Sequence, residues 1–247
     1  MIENSTHTKI SFWFFILFAS SFYQNLFAQQ NLFNVPSSDI TDTGKVFFQQ
    51  QFNVNGFTTS NTTITFGFKH QFECGINLFG VSYDNKKGGF LKNDADLASP
   101  LGPTVLVNAQ KGFILNHHFK IGVGTQDGIN LTSYGKKIKG VTFDFVNFVY
   151  SPIHTLKVNA GAYYGNQYFL GDGNKFGGMA GVEWELFEKK FHLMADWLYG
   201  TNSLGIAVPG FVWFLTKDIS FSFGWQIPNP RSTNPQAFVF EFTYHKA

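Results

Sequence analysis

Cysteine is nearly missing from the 247 residues: Cys74 stands alone, which excludes an intrachain disulfide and any cysteine-based metal cluster. Charge is scarce as well. Asp, Glu, Lys and Arg together make up 14% of the chain, against about 25% in an ordinary soluble domain, so a fully hydrated exterior is hard to build. The net charge of +2 leaves no basic stripe, and nucleic acid is not an expected partner. Long apolar runs are lacking too. Nothing matches the roughly 20 consecutive apolar residues of a membrane-spanning helix, and the mean hydropathy is -0.06. Chemical motifs are equally sparse. GVGTQDG at 122–128 lacks the G-x-G-x-x-G spacing of a dinucleotide site. The 7 His are scattered without an H-E-x-x-H, and GDGN at 171–174 has too few oxygen ligands to hold calcium. No catalytic, cofactor-binding or metal-ligating residue is therefore assigned, and no cofactor is expected.

Aromatics are abundant: 32 Phe within a 19% aromatic content. They are arranged with a period of two. In ISFSFGWQI, Ile219, Phe221, Phe223, Trp225 and Ile227 alternate with Ser220, Ser222, Gly224 and Gln226; in FVFEFTYH, Phe238, Phe240, Phe242 and Tyr244 alternate with Val239, Glu241, Thr243 and His245. This is the signature of strands with one apolar face. About twelve such segments follow one another from residue 45 to the C-terminus, most near the roughly 9 to 11 residues with which a tilted strand crosses a bilayer. Every second connection is very short, as in HQ after Lys69, SPIH before Thr155 and TKD before Ile219, while the others are longer and wetter, as at 84–103 and 127–139. An up-and-down meander puts all the short turns at one end.

The longest apolar run, ISFWFFILFASSF at 10–22, follows a polar start with Lys9 and leads to QNLFAQQ, the layout of a secretory signal peptide. Cleavage after Ala28 divides the chain into a signal at 1–28, a polar periplasmic segment at 29–43 and a barrel at 44–247.

On the expected inner face lie Lys69, Glu73, Asn77, Lys120, Gln126, Lys157, Asn159, Glu183, Glu185, Asp196 and Glu241, with Gly75, Gly122, Gly124 and Gly161 between them, a set suited to a narrow, wet lumen. The opposite set, including Phe68, Ile76, Val123, Val182 and Trp184, with Tyr150, Trp197 and Trp225 near strand ends, suits lipid and its interfaces. With these features the chain resembles a mid-sized, porin-like Gram-negative outer-membrane β-barrel, and the FAQQ ending of its signal resembles secretion signals common among Bacteroidetes. The usual final aromatic residue is displaced, because Tyr244 is followed by His245, Lys246 and Ala247. The resemblance implies contact with outer-membrane lipid and lipopolysaccharide, and with the barrel-assembly machinery.

Function follows from what the lumen admits. A narrow passive channel for small polar solutes fits the inner face, with loops or the 29–43 segment as the elements expected to restrict it. A closed barrel whose loops bind a surface partner, and an enzyme acting on membrane lipids, are the alternatives; the latter needs a Ser–His pair on the lipid-facing wall, whereas His192 and His245 are expected to point inward. Within the channel reading, the hairpin around WELFEKKFHLMADW places Glu183 opposite Asp196 or one pair away and Glu185 near His192 or Met194. Glu183, Glu185 and Asp196, with Glu241, form the expected acidic side of a weakly cation-preferring lumen, opposed by Lys69, Lys120 and Lys157.

An even number of strands returns the chain to the side where it began, which puts both ends and the short turns in the periplasm. An epitope tag inserted near Asn93 should be reached by antibody on intact cells and one at His154 should not; the reverse pattern would invert the orientation.

Overall fold

Alternation of apolar and polar residues has one stable outcome in lipid: backbone groups must pair within the sheet, and the sheet must close so that no edge remains. The computed structural model describes residues 32–91, 99–133, 136–187 and 190–245; the signal at 1–28, the start of the 29–43 segment and the Asn93 tag site lie outside them. The strands are β1 (Val46–Val54), β2 (Phe57–Phe68), β3 (Phe72–Asp84), β4 (Thr104–Ile114), β5 (Phe119–Asn130), β6 (Gly140–Ile153), β7 (Leu156–Gly165), β8 (Phe176–Phe187), β9 (Phe191–Leu198), β10 (Ile206–Phe214), β11 (Ile219–Pro228) and β12 (Ala237–His245). Each pairs antiparallel with the next, and β12 returns to β1, closing a 12-stranded barrel. One short helix, α1 (Gln167–Leu170), sits in the β7–β8 connection, its Asn166 side chain accepting from the Phe169 amide.

The short connections follow Phe68, Ile114, Ile153, Phe187 and Phe214, and the longer ones follow Asp84, Asn130, Gly165, Leu198 and Pro228 at the other end. The exception is 55–56, a tight turn at the long-loop end.

Outward residues form an aromatic-rich wall. Phe221, Phe223 and Phe240 pack with centroid separations of 5.3–6.0 Å, as cross-strand neighbours on one face should. At the short-turn end Phe119 stacks on Tyr150 at 4.6 Å, and at the long-loop end Trp197 donates to Asn229 Oδ1 while packing against Tyr199. Polar groups interrupt this wall in places. Gln50 bonds Ser60 and Thr62, and the Thr125 hydroxyl lies 2.6 Å from Asp144 and 2.8 Å from Asp127.

The interior departs from a wet lumen. Leu106, Val141, Phe143, Met179, Met194, Leu198, Ile206 and Val208 all point inward and are buried, together with Phe169 and Leu170 of α1. They pack on Leu32, Phe33 and Val35, because the described part of the 29–43 segment runs inside the barrel rather than below it. Its placement corrects the periplasmic expectation, and the reason is packing: the segment supplies the apolar surface that the inward residues of β6, β9 and β10 require.

Inward glycines make the room. Leu32 presses on Gly181, and Phe33 on Gly210 and Gly224. At Gly67 the segment leaves the lumen through a parallel bridge from Thr43, and a Cβ there would collide with the carbonyl oxygens of Thr41 and Asp42. Those are backbone atoms and cannot rotate away. Gly67→Ala is therefore expected to lower barrel stability by about 1–3 kcal/mol, read as a reduced midpoint in urea unfolding; an unchanged midpoint would mean that the segment is not held as described.

Candidate functional site in the barrel lumen

The segment is held by side chains from around the barrel. Asp196 Oδ2 accepts from the Asn34 amide and, at 2.8 Å, from the Val35 amide. Asn147 donates to the Pro36 carbonyl and accepts from the Ser38 hydroxyl, each at 2.5 Å. Gln110 donates to the Ser37 carbonyl at 2.6 Å. Nearer the short-turn end, Glu73 Oε2 accepts from both the amide and the hydroxyl of Thr41 at 2.7 Å. Asp39 receives Lys120 at 2.5 Å on one oxygen and Lys157 at 2.8 Å on the other. We call 32–43 the strap, because it climbs from β1 at the short-turn end to the level of Asp196 in β9.

Most of the expected lumen charges do face inward, but the strap and its neighbours engage them. Glu183 lies one pair from Asp196, opposite Met194, and Glu185 lies opposite His192. Glu183 sits 2.7 Å from His192 Nδ1, both groups buried, and also faces Lys157 across the β7–β8 ladder. Glu241 is fully buried between Gln51 and Ser222. His192 and His245 point inward, on the wall away from lipid. Lys69 departs from its expected place: β2 ends at Phe68, and Lys69 is exposed in the following turn. The expected separation of acids from bases is also absent, since Lys157 stands between Asp39 and Glu183. Opposite charges are interleaved because a low-dielectric interior favours close pairing over two like-charged walls.

The strap fills one side of the lumen and leaves space on the other. A cavity of about 110 Å³ is lined by Gln49, Gln51, Asn61, Asn77, Asn108, Gln110 and Gln126 from β1 to β5, with Phe143 and Phe145 of β6, Phe169 of α1 and Phe33 of the strap. Its amides are linked, Asn108 to Asn77 at 2.5 Å and Asn77 to Gln126 at 3.0 Å. Glu73, already engaged by Thr41, is the charged residue on its lining. Asn34, Asn61, Phe79 and Leu204 also line a second space of about 500 Å³, which reaches Asn55, Leu91, Pro100 and Asn234 at the long-loop end. Asn77, Gln126 and Glu73 were expected on the inner face; Asp39, Thr41 and Asn147 were missed. The triplet Gln49–Gln50–Gln51 carried a signal for the amide wall, because alternate residues of a strand must share a face.

Burial alone would raise the Asp39 carboxyl, but Lys157 and then Lys120 outweigh it and hold the group well below the ordinary carboxylate range. A folded value below the unfolded one of about 3.9 means that the strap's ionic anchor is complete above that pH and is lost as pH falls through the folded value. Amide protection factors at Asp39 and its immediate neighbours are expected to stay constant from about pH 7 to about pH 5 and to drop only in stronger acid; loss of protection at these amides near neutral pH would contradict the anchor.

No family profile and no curated protein matches the chain. Among solved structures it is similar in fold to the KdgM porin in complex with disordered oligogalacturonate, with a TM-score of 0.55, 9% identity, and 80% of this chain aligned to 98% of that one. The NanC porin gives a TM-score of 0.52 at 10% identity, covering 82% of this chain and 100% of that one. An outer membrane channel from Pseudomonas putida F1 gives 0.51 at 12%, covering 86% and 99%. The chain thus has the closed, up-and-down, 12-stranded fold of outer-membrane porin barrels.

Proposed function

We propose that this protein is a narrow outer-membrane channel for small polar solutes, restricted by its own strap. The observation that carries the reading is the amide-lined cavity inside the lumen, which shares Asn34, Asn61, Phe79 and Leu204 with a second space open towards the long-loop end and has on its lining Glu73, the residue that holds Thr41 of the strap. A barrel built only to display loops has no need of a polar cavity at its centre. The signal-like N-terminus and the lipid-suited outer wall support the location. Its fold-neighbours include named porins and a channel, which agrees with the reading at the level of the barrel.

Passage requires the lower strap to move. Its anchors are polar and partly wet, Lys120 being 39% exposed, so they are weaker than the apolar seat of Leu32, Phe33 and Val35. Ion preference in the open state then comes from Glu73 beside the route, while Glu183 and Asp196 hold His192 and the strap backbone.

Planar-bilayer recordings of the purified protein test this. The intact barrel should conduct weakly with a slight cation preference. Asp39→Asn should raise the open fraction about tenfold, after discounting the two ion pairs for water at Lys120, and shift the reversal potential towards anions because Lys120 and Lys157 lose their counter-charge. No conductance from either folded protein would remove the channel reading and leave the loop-binding barrel ahead.

A further inference from the structure

We infer that the outer wall between β3 and β8 carries a binding site for one anionic phospholipid of the periplasmic leaflet, with its phosphate at Lys111 and one acyl chain in a groove that crosses β4 to β8. The inference is independent of the channel reading and rests on the placement of the short turns in the periplasm.

A row of cross-strand partners forms the floor of the groove. Lys111 of β4 lies opposite Val123 of β5, Val123 opposite Val146 of β6, Val146 opposite Ala162 of β7, and Ala162 opposite Gly178 of β8. Side-chain volume shrinks along the row, and the outward face is hollowed there by about 550 Å³. Phe72 closes the lysine end, while Tyr164 and Phe176, with ring centroids 4.7 Å apart, stand at the other. Thr125 and Asp144 border the groove one outward row higher and are bonded to each other at 2.6 Å, which leaves the floor itself apolar. Strands in such barrels tilt by about 35–45°, so the row is oblique as well. Four strand spacings of about 4.8 Å make it roughly 19 Å long, and a leaflet supplies about half of a hydrocarbon core some 30 Å thick. An acyl chain of one leaflet, laid obliquely, fits that length.

Charge fixes which end holds the headgroup. Lys111 faces outward between Ala109 and Phe113, with Phe72 and Val123 across its two ladders, and an ammonium group cannot rest among such residues in hydrocarbon. Its stem instead carries the head to the short turn after β2, where Nζ donates to the His70 carbonyl. An ammonium has three donors, so two remain for phosphate oxygens. The neighbouring short turns, 69–71 and 115–118, add Lys69, His70, His117 and His118 and contain no carboxylate, whereas the turn after β10 contains Asp218. Asp42, an exposed acid of the strap, lies on the lumen side of β2 beside Gly67.

Other occupants fit less well. A zwitterionic lipid carries its own ammonium, which competes with Lys111 for the phosphate. A phosphorylated glycolipid of the outer leaflet needs its cation at the long-loop end, where the groove has Tyr164 and Phe176 and the charged side chain on the lining is Asp144. Two copies of this chain, packed through the groove about an axis along the membrane normal, would set Lys111 at the height of Lys111 in a medium of low dielectric.

The test is native mass spectrometry of the full-length mature barrel released from detergent, after titration with phosphatidylglycerol or with phosphatidylethanolamine of identical acyl chains. A single phosphatidylglycerol should be retained about fivefold more tightly than phosphatidylethanolamine, the gain expected of one lysine at a lipid surface. Lys111→Gln should remove that preference and Lys111→Arg should keep it. Ala162→Phe, which fills the floor, should weaken both lipids about tenfold, the worth of roughly two displaced methylenes. Heat-modifiable gel mobility verifies folding, and Val146→Phe takes the place of Ala162→Phe should that variant misfold. Equal retention of the two lipids, a preference that survives in folded Lys111→Gln, or retention unaffected by the phenylalanine would each overturn the inference. A dimer free of lipid, or tighter binding of lipid A that does not depend on Lys111, would overturn it as well. A barrel that retains phosphatidylglycerol as expected and never conducts would keep the site and defeat only the channel reading.

Discussion

A charge carried into the interior of a membrane barrel must meet its counter-charge there, because the lipid outside offers none and the enclosed water is too little to screen it. Here the counter-charge for two inward lysines comes from Asp39, a residue outside the sheet. Much of the interior follows from that. Asp39 can reach Lys120 and Lys157 only if the strap lies within the lumen, and a strap in the lumen brings Leu32, Phe33 and Val35 against the buried faces of β6, β9 and β10. The space left over lies along β1 to β5, where the inward side chains are amides.

Where each strand touches water or lipid on one face and a uniform filling on the other, the sequence is sufficient. β11 and β12 are of this kind, and their outward and inward sets are those that alternation assigns. The hairpin of β8 and β9 was legible to within one inward pair: Glu183 was expected opposite Asp196 or one pair away and Glu185 near His192 or Met194, and the register sets Glu183 one inward pair from Asp196 and Glu185 opposite His192. β6 was not. Val141, Phe143 and Phe145 point inward while Asp144 points out, since this strand's inner face meets α1 and the strap instead of water. Apolar residues on both faces of β6 and β10 were the available hint that something dry occupies the barrel.

The candidate site was legible in its residue types and not in its partnerships. Inward placement of Glu73, Lys120, Lys157, Glu183 and Asp196 follows from periodicity within single strands. Their engagement with the strap does not, because Asn34 and Asp196 are separated by 162 positions and Asp39 and Lys157 by 118. No local pattern records a contact of that kind. Lys69 failed for a smaller reason, β2 ending one residue before it, where the alternation that assigned its face has stopped.

The strap's position beside β1 has a consequence for assembly. β1 and β12 form the closing seam, and the strap immediately precedes β1 while bonding to β3, β4, β5, β6 and β9. Its footholds are thus offered by strands that lie between the two seam partners in the chain. In the folded barrel the strap thus ties strands from across the sheet to the residue that opens β1, so the chain between the seam partners is bridged at several intermediate points, each of which shortens the loop that the seam itself has to close.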